Sequence, residues 1–168
     1  MKKIIYIILY LLLKNLPGHY YINRIRGRVI GMYAKGSKKK LQIGRSVNIS
    51  NPSTVVFGDN VVVNADVYLV SSEFPIIIGN DCLIAPRCFI QTLNHNYERK
   101  NVVINKQGYR GAGVFIEEDC WLAYGTMLMP GVTIRKGSVL SAGSVVTKST
   151  ESYGVYAGVP AKKIKERV

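Results

Sequence analysis

From residue 43 onward an aliphatic residue recurs every six positions, and a small residue follows each one four positions later. The last run is unbroken: Ile116, Leu122, Leu128, Ile134, Leu140 and Val146, with Cys120, Thr126, Val132, Ser138 and Ser144 in the second slots. A middle run gives Ile78, Ile84 and Ile90, followed by Cys82, Cys88 and Asn94. An early run gives Ile43 and Ile49, then Phe57, Val63 and Leu69 after a two-residue slip. A period of six is neither helical nor a plain strand alternation. It predicts a short strand, a turn and another strand at a fixed angle, with three units closing one triangular coil. Positions 18 apart then stack, Ile116 on Ile134 and Leu122 on Leu140. The fold class is an all-β solenoid, with the aliphatic side chains inward and the small ones at tight corners. Fourteen markers give about five coils, a prism roughly 20–25 Å tall at ~4.8 Å per strand. Gly125, Gly131, Gly137 and Gly143 fall where corners need unusual backbone angles. All three cysteines occupy the small inward slot, which reads as structure rather than catalysis or metal binding.

Ahead of the repeat the pattern changes. Ile4 to Leu13 is a run of ten apolar residues between Lys2-Lys3 and Lys14. Ten residues are short for a span, and no small-residue cleavage site follows. The run predicts a helix ending near Asn15, stopped by Pro17-Gly18. This divides the chain into a basic, apolar N-terminal helix and linker (residues 1–42) and a repeat domain (43–168).

Charge sharpens that division. Residues 1–58 hold 11 Lys/Arg and no Asp/Glu, whereas residues 59–168 hold 12 Lys/Arg and 10 Asp/Glu. The first third therefore seeks anionic partners. A basic segment beside an apolar helix supplies two membrane signals, so residues 1–45 are candidates for peripheral membrane contact. The other reading is a helix that packs on the domain or in an oligomer. Tyr20, Tyr21 and Tyr33 among basic residues could stack and clamp phosphates, but no nucleic-acid motif accompanies them. Three cysteines make no disulfide framework and suit a reducing, cytoplasmic setting.

The repeat breaks once at length. Ile90 and Ile116 are 26 residues apart, and the polar, Gly-bearing stretch 94–113 reads as a loop ejected from the coil. Loops on rigid scaffolds carry function disproportionately. His95, one of two histidines in the chain, sits at the root of this loop. It is the natural general base near neutral pH, against the plain reading of a surface histidine. His19 lacks such a context.

Several segments then resemble the hexapeptide-repeat acyltransferases, a left-handed β-helix family, and within it the galactoside/maltose O-acetyltransferases and the sugar O-acetyltransferases of surface-polysaccharide synthesis. They are Ile78 to Pro86, Asn94-His95, Cys120 to Ala123, Pro130 to Ile134, Ser141 to Lys148 and Ala157 to Lys162. The resemblance implies a left-handed parallel β-helix, a homotrimer with its active site in the groove between prisms, acetyl-CoA as co-substrate and no metal. It gives His95 the role of base on a sugar hydroxyl that attacks the thioester directly. A backbone N–H near Ala123-Tyr124 would meet the oxyanion. Ala142, Thr147 and Lys148 match coenzyme contacts, and Lys162 and Lys165 match basic positions that hold its phosphates. Asn64 matches an Asn beside the reacting groups.

Three departures concern the acceptor. Asn96 stands where Pro often follows the histidine, and Tyr124 is bulkier than the usual Ser or Asn. Acceptor carboxylates near position 70 are replaced by Ser71-Ser72 with Glu73 beside them, across a one-residue insertion. We therefore take Asn64, Ser72 and Glu73 as the acceptor-side candidates. An N-acetyltransferase acting on an amino sugar would use the same parts, as would antibiotic acetyltransferases. A non-catalytic solenoid would bind no coenzyme. Zinc carbonic anhydrases of this fold need three histidines, and two are present.

Overall fold

Each six-residue unit supplies a strand of two or three residues and a corner whose last turn lies in left-handed φ/ψ space. The computed structural model describes residues 2–168, and in it the four predicted corner glycines have φ between 68° and 85°. Asn60, Asp66, Asp81, Arg87 and Asp119 occupy equivalent corners at φ 55–61°. Asn and Asp are the residues other than Gly that enter this region most readily, because their short polar chains bond locally. Most corners thus use Gly, Asn or Asp, while Arg87 and Ser46 enter the same region without that advantage.

The strands stack into three parallel sheets, the faces of a prism. The first face contains Gln42–Ile43, Val62–Val63, Leu83–Ile84, Trp121–Leu122, Val139–Leu140 and Gly154–Gly158, and Ala161–Glu166 adds antiparallel at its end. The second contains Asn48–Ile49, Tyr68–Val70, Phe89–Gln91, Met127–Leu128 and Val145–Val146. The third contains Val55–Phe57, Ile76–Ile78, Val114–Ile116 and Thr133–Ile134. Partners lie 18 residues apart in the unbroken part: Phe115 with Thr133, Trp121 with Val139, Met127 with Val145. Ile78, Ile84, Ile90, Ile116, Leu122 and Leu128 fill the axis, each buried and each contributing about 1.5–3 kcal/mol. Cys82, Cys88 and Cys120 are buried with them. Their thiols donate to the carbonyls of Glu117 (3.0 Å), Ala123 (3.2 Å) and Arg135 (3.2 Å).

Every interruption of the period falls on one corner, between the second and third faces. Ile49 and Phe57 are eight apart, Leu69 and Ile78 nine, Ile90 and Ile116 twenty-six. The first excess is a short turn at Pro52–Thr54. The second adds three residues to the period of six, in the stretch Ser71 to Pro75. Ser71 is held there by Ser50 and Thr54. The third is the ejected arm. Asn94, expected in an inward slot, instead lies half-buried in strand Leu93–His95 and accepts from Gln91 Nε2 at 3.1 Å. Thr92 is the buried residue, so the middle run ends at Ile90.

At the N-terminus, helix α1 (Lys2–Lys14) stops where Pro17-Gly18 predicts. The stretch read as linker contains a second helix, α2 (Tyr20–Gly31), packed on strand Gln42–Ile43. Gly27 permits this contact: a Cβ there would sit 2.3 Å from the Leu41 carbonyl oxygen. Arg26, 1% exposed, donates to the carbonyls of Leu13 (2.9 Å) and Leu16 and to Asn23 Oδ1 (2.7 Å). It satisfies carbonyls that the end of α1 leaves without helical partners. Among the described residues no helix is long and apolar enough to cross a membrane.

Candidate active site

The ejected arm is more ordered than a loop. Its root is an antiparallel ribbon of Leu93–His95 and Tyr109–Gly111, with His95 directly opposite Tyr109. Their ring centroids are 4.5 Å apart, so the exposed tyrosine fixes one side of the imidazole. Gly111 is required here, because a Cβ would meet Thr92 O at 2.4 Å and Phe74 at 2.6 Å. Beyond the ribbon, buried Gln107 donates to the carbonyls of Arg99 (2.9 Å) and Val102 (2.7 Å) and accepts from Arg99 N (3.1 Å). Asn96 closes the turn through Gly108 O and Gln107 O. Arg110 pairs with Glu98 and lies 5.2 Å from the centroid of Tyr97. The Glu98 carboxyl is held below its usual range by backbone N–H donors of its own residue and of Tyr97, then by Arg110. A sequence reading could have found neither Tyr109 nor Gln107, since fourteen and twelve residues separate them from His95.

The coenzyme candidates divide between two edges of the second face. Thr147 and Lys148 follow strand Val145–Val146 on the corner from which the arm leaves. They lie above Met129, whose N–H donates to Val146 O at 3.0 Å and whose sulfur meets Gln91 Nε2 at 3.5 Å. Ala123, Tyr124 and Ala142 lie on the opposite corner, between the first and second faces. Ala123 N–H already donates to Leu140 O (2.9 Å), Gly125 N–H to Pro86 O (3.0 Å) and Gly143 N–H to Tyr124 O (2.8 Å). The coil therefore uses the donors on either side of Tyr124, and among the described residues the Tyr124 N–H donates to no other backbone group. A Cβ placed on Gly125 or Gly143 meets nothing within 4 Å. The lower turns of the same edge carry Arg87 and Asp66, so the upper part is an open ledge, and Arg87 leans over the Tyr124 ring at 5.7 Å.

The C-terminal lysines lie on a strand, with Lys162 and Lys165 exposed to solvent. In Ala161–Glu166, Lys162 pairs with Ala157, at the top of the ledge edge, and Lys165 pairs with Val155, toward the far side of the first face. Lys163 bridges Glu151 (2.6 Å) and Glu166 (2.8 Å), and Arg167 bonds Asp119 (2.8 Å). Among the described residues no ion pair holds Lys162 or Lys165.

The acceptor candidates are similarly split. Asn64 stacks below Ala85 and Ala123 on the ledge edge, with Nδ2 donating to Ile84 O at 3.0 Å. Ser72 and Glu73 are exposed on the three-residue bulge beneath the arm, where Asn51 Nδ2 donates to Ser72 O at 3.3 Å. One chain thus gathers His95, Ser72, Glu73, Thr147 and Lys148 on one edge, and Asn64, Ala123, Tyr124, Ala142 and Lys162 on the other. Five residues separate Ala142 from Thr147, up to ~16 Å of extended backbone. Among the described residues no cluster of His, Cys, Asp and Glu could hold a metal ion. The Cys88 thiol is pushed up to about 11 by burial, far from a reactive thiolate.

A family model described as a hexapeptide repeat of succinyl-transferase matches residues 113–148. The putative colanic acid biosynthesis acetyltransferase WcaF of Escherichia coli is 33% identical over 145 residues, 86% of this chain and 76% of the relative. The chain belongs to the hexapeptide-repeat acetyltransferases. Another acetyltransferase of similar sequence, the probable acetyltransferase Rv3034c of Mycobacterium tuberculosis, is 30% identical over 148 residues, 84% of this chain. The chain spans 49% of that protein's length. A solved galactoside acetyltransferase in complex with coenzyme A superposes with a TM-score of 0.80 at 25% identity, over 98% of this chain and 80% of its own. The match takes in the helices as well as the prism, so this acetyltransferase shares with its solved neighbour an architecture that extends beyond the repeat.

Proposed function

We propose that the chain transfers the acetyl group of acetyl-CoA to a hydroxyl of a sugar or polysaccharide precursor, with His95 as general base. The acceptor O–H gives its proton to a ring nitrogen of His95 as the oxygen bonds to the thioester carbonyl carbon. The Tyr124 N–H receives the oxyanion. Collapse breaks the C–S bond, and the departing coenzyme thiolate takes the proton back from the imidazolium. Lys162 and Lys148 supply point charges for the coenzyme phosphates, and the ledge at Gly125 and Gly143 leaves room for its pantetheine arm. Lys165 would meet only the far end of the coenzyme.

The separation of the two edges carries this reading. Within one chain the base and the ledge lie on opposite sides of the second face, which supports a site completed by a neighbouring prism, as in a homotrimer. We take the winding as left-handed with about five coils. The names of WcaF and of WbbJ, a putative lipopolysaccharide biosynthesis O-acetyl transferase of Escherichia coli 34% identical over 131 residues, favour a surface-polysaccharide unit as acceptor. That acceptor class suits a cytoplasmic enzyme in peripheral contact with the inner face of a membrane through residues 1–45.

The test is coenzyme A release from acetyl-CoA across a panel of nucleotide sugars and lipid-linked saccharides. His95→Ala should lower turnover about 10²–10⁴-fold, the usual worth of general-base catalysis, while calorimetric coenzyme A binding is retained. Turnover that survives in His95→Ala overturns the assignment.

A further inference from the structure

We propose that α2 and the loop at residues 37–41 form a docking surface for the headgroups of an anionic lipid bilayer. The inference rests on the peripheral placement of residues 1–45 given above and names the side chains that make the contact. The outward stripe of α2, continued by the C-cap Met32, is Tyr21, Ile25, Arg28 and Met32, spaced by one helical turn. A helix facing water ordinarily turns its polar side outward, yet three of these four side chains are apolar. Arg28 joins Arg24, Lys38, Lys39 and Lys40 around an open cleft of about 510 Å³. A neighbouring hollow is lined by Tyr20, Tyr21, Ile25 and the same two arginines, so the apolar stripe and the cationic cleft are one continuous surface.

The backbone holds the loop lysines in place. Lys38 and Lys40 lie in left-handed turns at φ 60° and 55°. Lys39 N–H is tied to Asp59 Oδ1 at 2.8 Å, with its exposed side chain left to solvent. Lys38 Nζ reaches back to Ala34 O at 2.9 Å. Alongside α2, helix α1 exposes Ile8, Leu11 and Leu12, and Leu16 just past its end is exposed as well. Apolar side chains beside a cluster of cations match the boundary between acyl chains and phosphates. A soluble polyanion would use the cations and leave the apolar stripe wet. A second copy presenting this face would set Arg24, Arg28, Lys38, Lys39 and Lys40 against the same five cations and be repelled, the Asp59 carboxylate beside Lys39 notwithstanding.

Co-sedimentation of the full chain with vesicles tests this. The protein should bind phosphatidylglycerol-rich vesicles, bind phosphatidylcholine vesicles weakly, and lose the difference in high salt. The combined variant Arg28→Gln, Lys39→Gln and Lys40→Gln should lower partition about 100-fold, from roughly a fivefold loss per cation at an anionic surface. Unchanged coenzyme A binding by calorimetry confirms that the variant is folded. Wild-type partition in the triple variant would overturn the headgroup assignment and leave peripheral contact standing. Failure of the wild type to bind any vesicle would overturn both. Binding to an oligonucleotide without vesicle binding, or dissociation of the oligomer in Ile25→Glu, would assign the surface to another partner and overturn the proposal.

Discussion

Arg26→Ala should release the two N-terminal helices while leaving the coils intact. The guanidinium donates to Leu13 O, Leu16 O and Asn23 Oδ1, with longer contacts to Pro17 O (3.4 Å) and Ile43 O (3.5 Å). Burial lowers its pKa, opposed by Tyr10, but an arginine remains charged at neutral pH. Each bond from a charged donor is worth about 1.5–3 kcal/mol, and Leu13 O keeps only the Leu16 N–H at 3.2 Å. Set against the desolvation no longer required, the loss is about 3–5 kcal/mol. It falls on α1, α2 and their seat on Gln42–Ile43, since the prism core lies elsewhere. Hydrogen exchange read by mass spectrometry should show protection over residues 2–31 falling roughly 100- to 4,000-fold, at about 1.4 kcal/mol per decade. Strands between Val114 and Val146 should keep theirs. Arg26→Lys should not rescue, because an ammonium cannot reach acceptors spread around a planar fork. Unchanged protection over residues 2–31 in Arg26→Ala would refute this account of how the helices are held.

Gly125→Asp should fold normally, within about 1 kcal/mol, because Asp119 takes φ 57° one corner earlier where Gly125 takes 68°. Its carboxylate on the ledge should raise the KM for acetyl-CoA about fivefold, from on the order of 1 kcal/mol of repulsion at a wet edge. Gln107→Ala removes three bonds that knit the arm. Exchange over residues 99–107 should quicken and kcat should fall with coenzyme A affinity unchanged, as measured by calorimetry. Cys88, with its thiol pushed up to about 11 by burial, should resist a disulfide reagent at pH 8 until the protein is unfolded. A rapid native reaction would contradict the packing described.

The prism was legible because a side chain every six residues has only one way to share an axis. The corners were half legible: Gly125 and its equivalents stand out, whereas Asp81 and Asp119 do the same work and look like ordinary polar residues. Helix α2 was hidden because Gly27 and Gly31 lower its propensity and Arg26, its most buried charge, reads as surface. Residue spacing located the arm and His95 but could not show that Tyr109 lies across the ribbon or that Gln107 locks the tip. Such pairings depend on where the chain folds back. The split of site residues between two edges was not legible, because Ala142 and Thr147, five positions apart in the chain, fall on opposite edges of one face.

Mixed oligomers test most directly whether two chains build each site. Trimers co-expressed from His95→Ala chains and chains carrying Ala142→Trp on the ledge should each be inactive alone. Random mixing should restore about a quarter of wild-type coenzyme A release per trimer, because one interface in four pairs an intact base with an intact ledge. Assembled mixed trimers with no recovered activity would contradict the account.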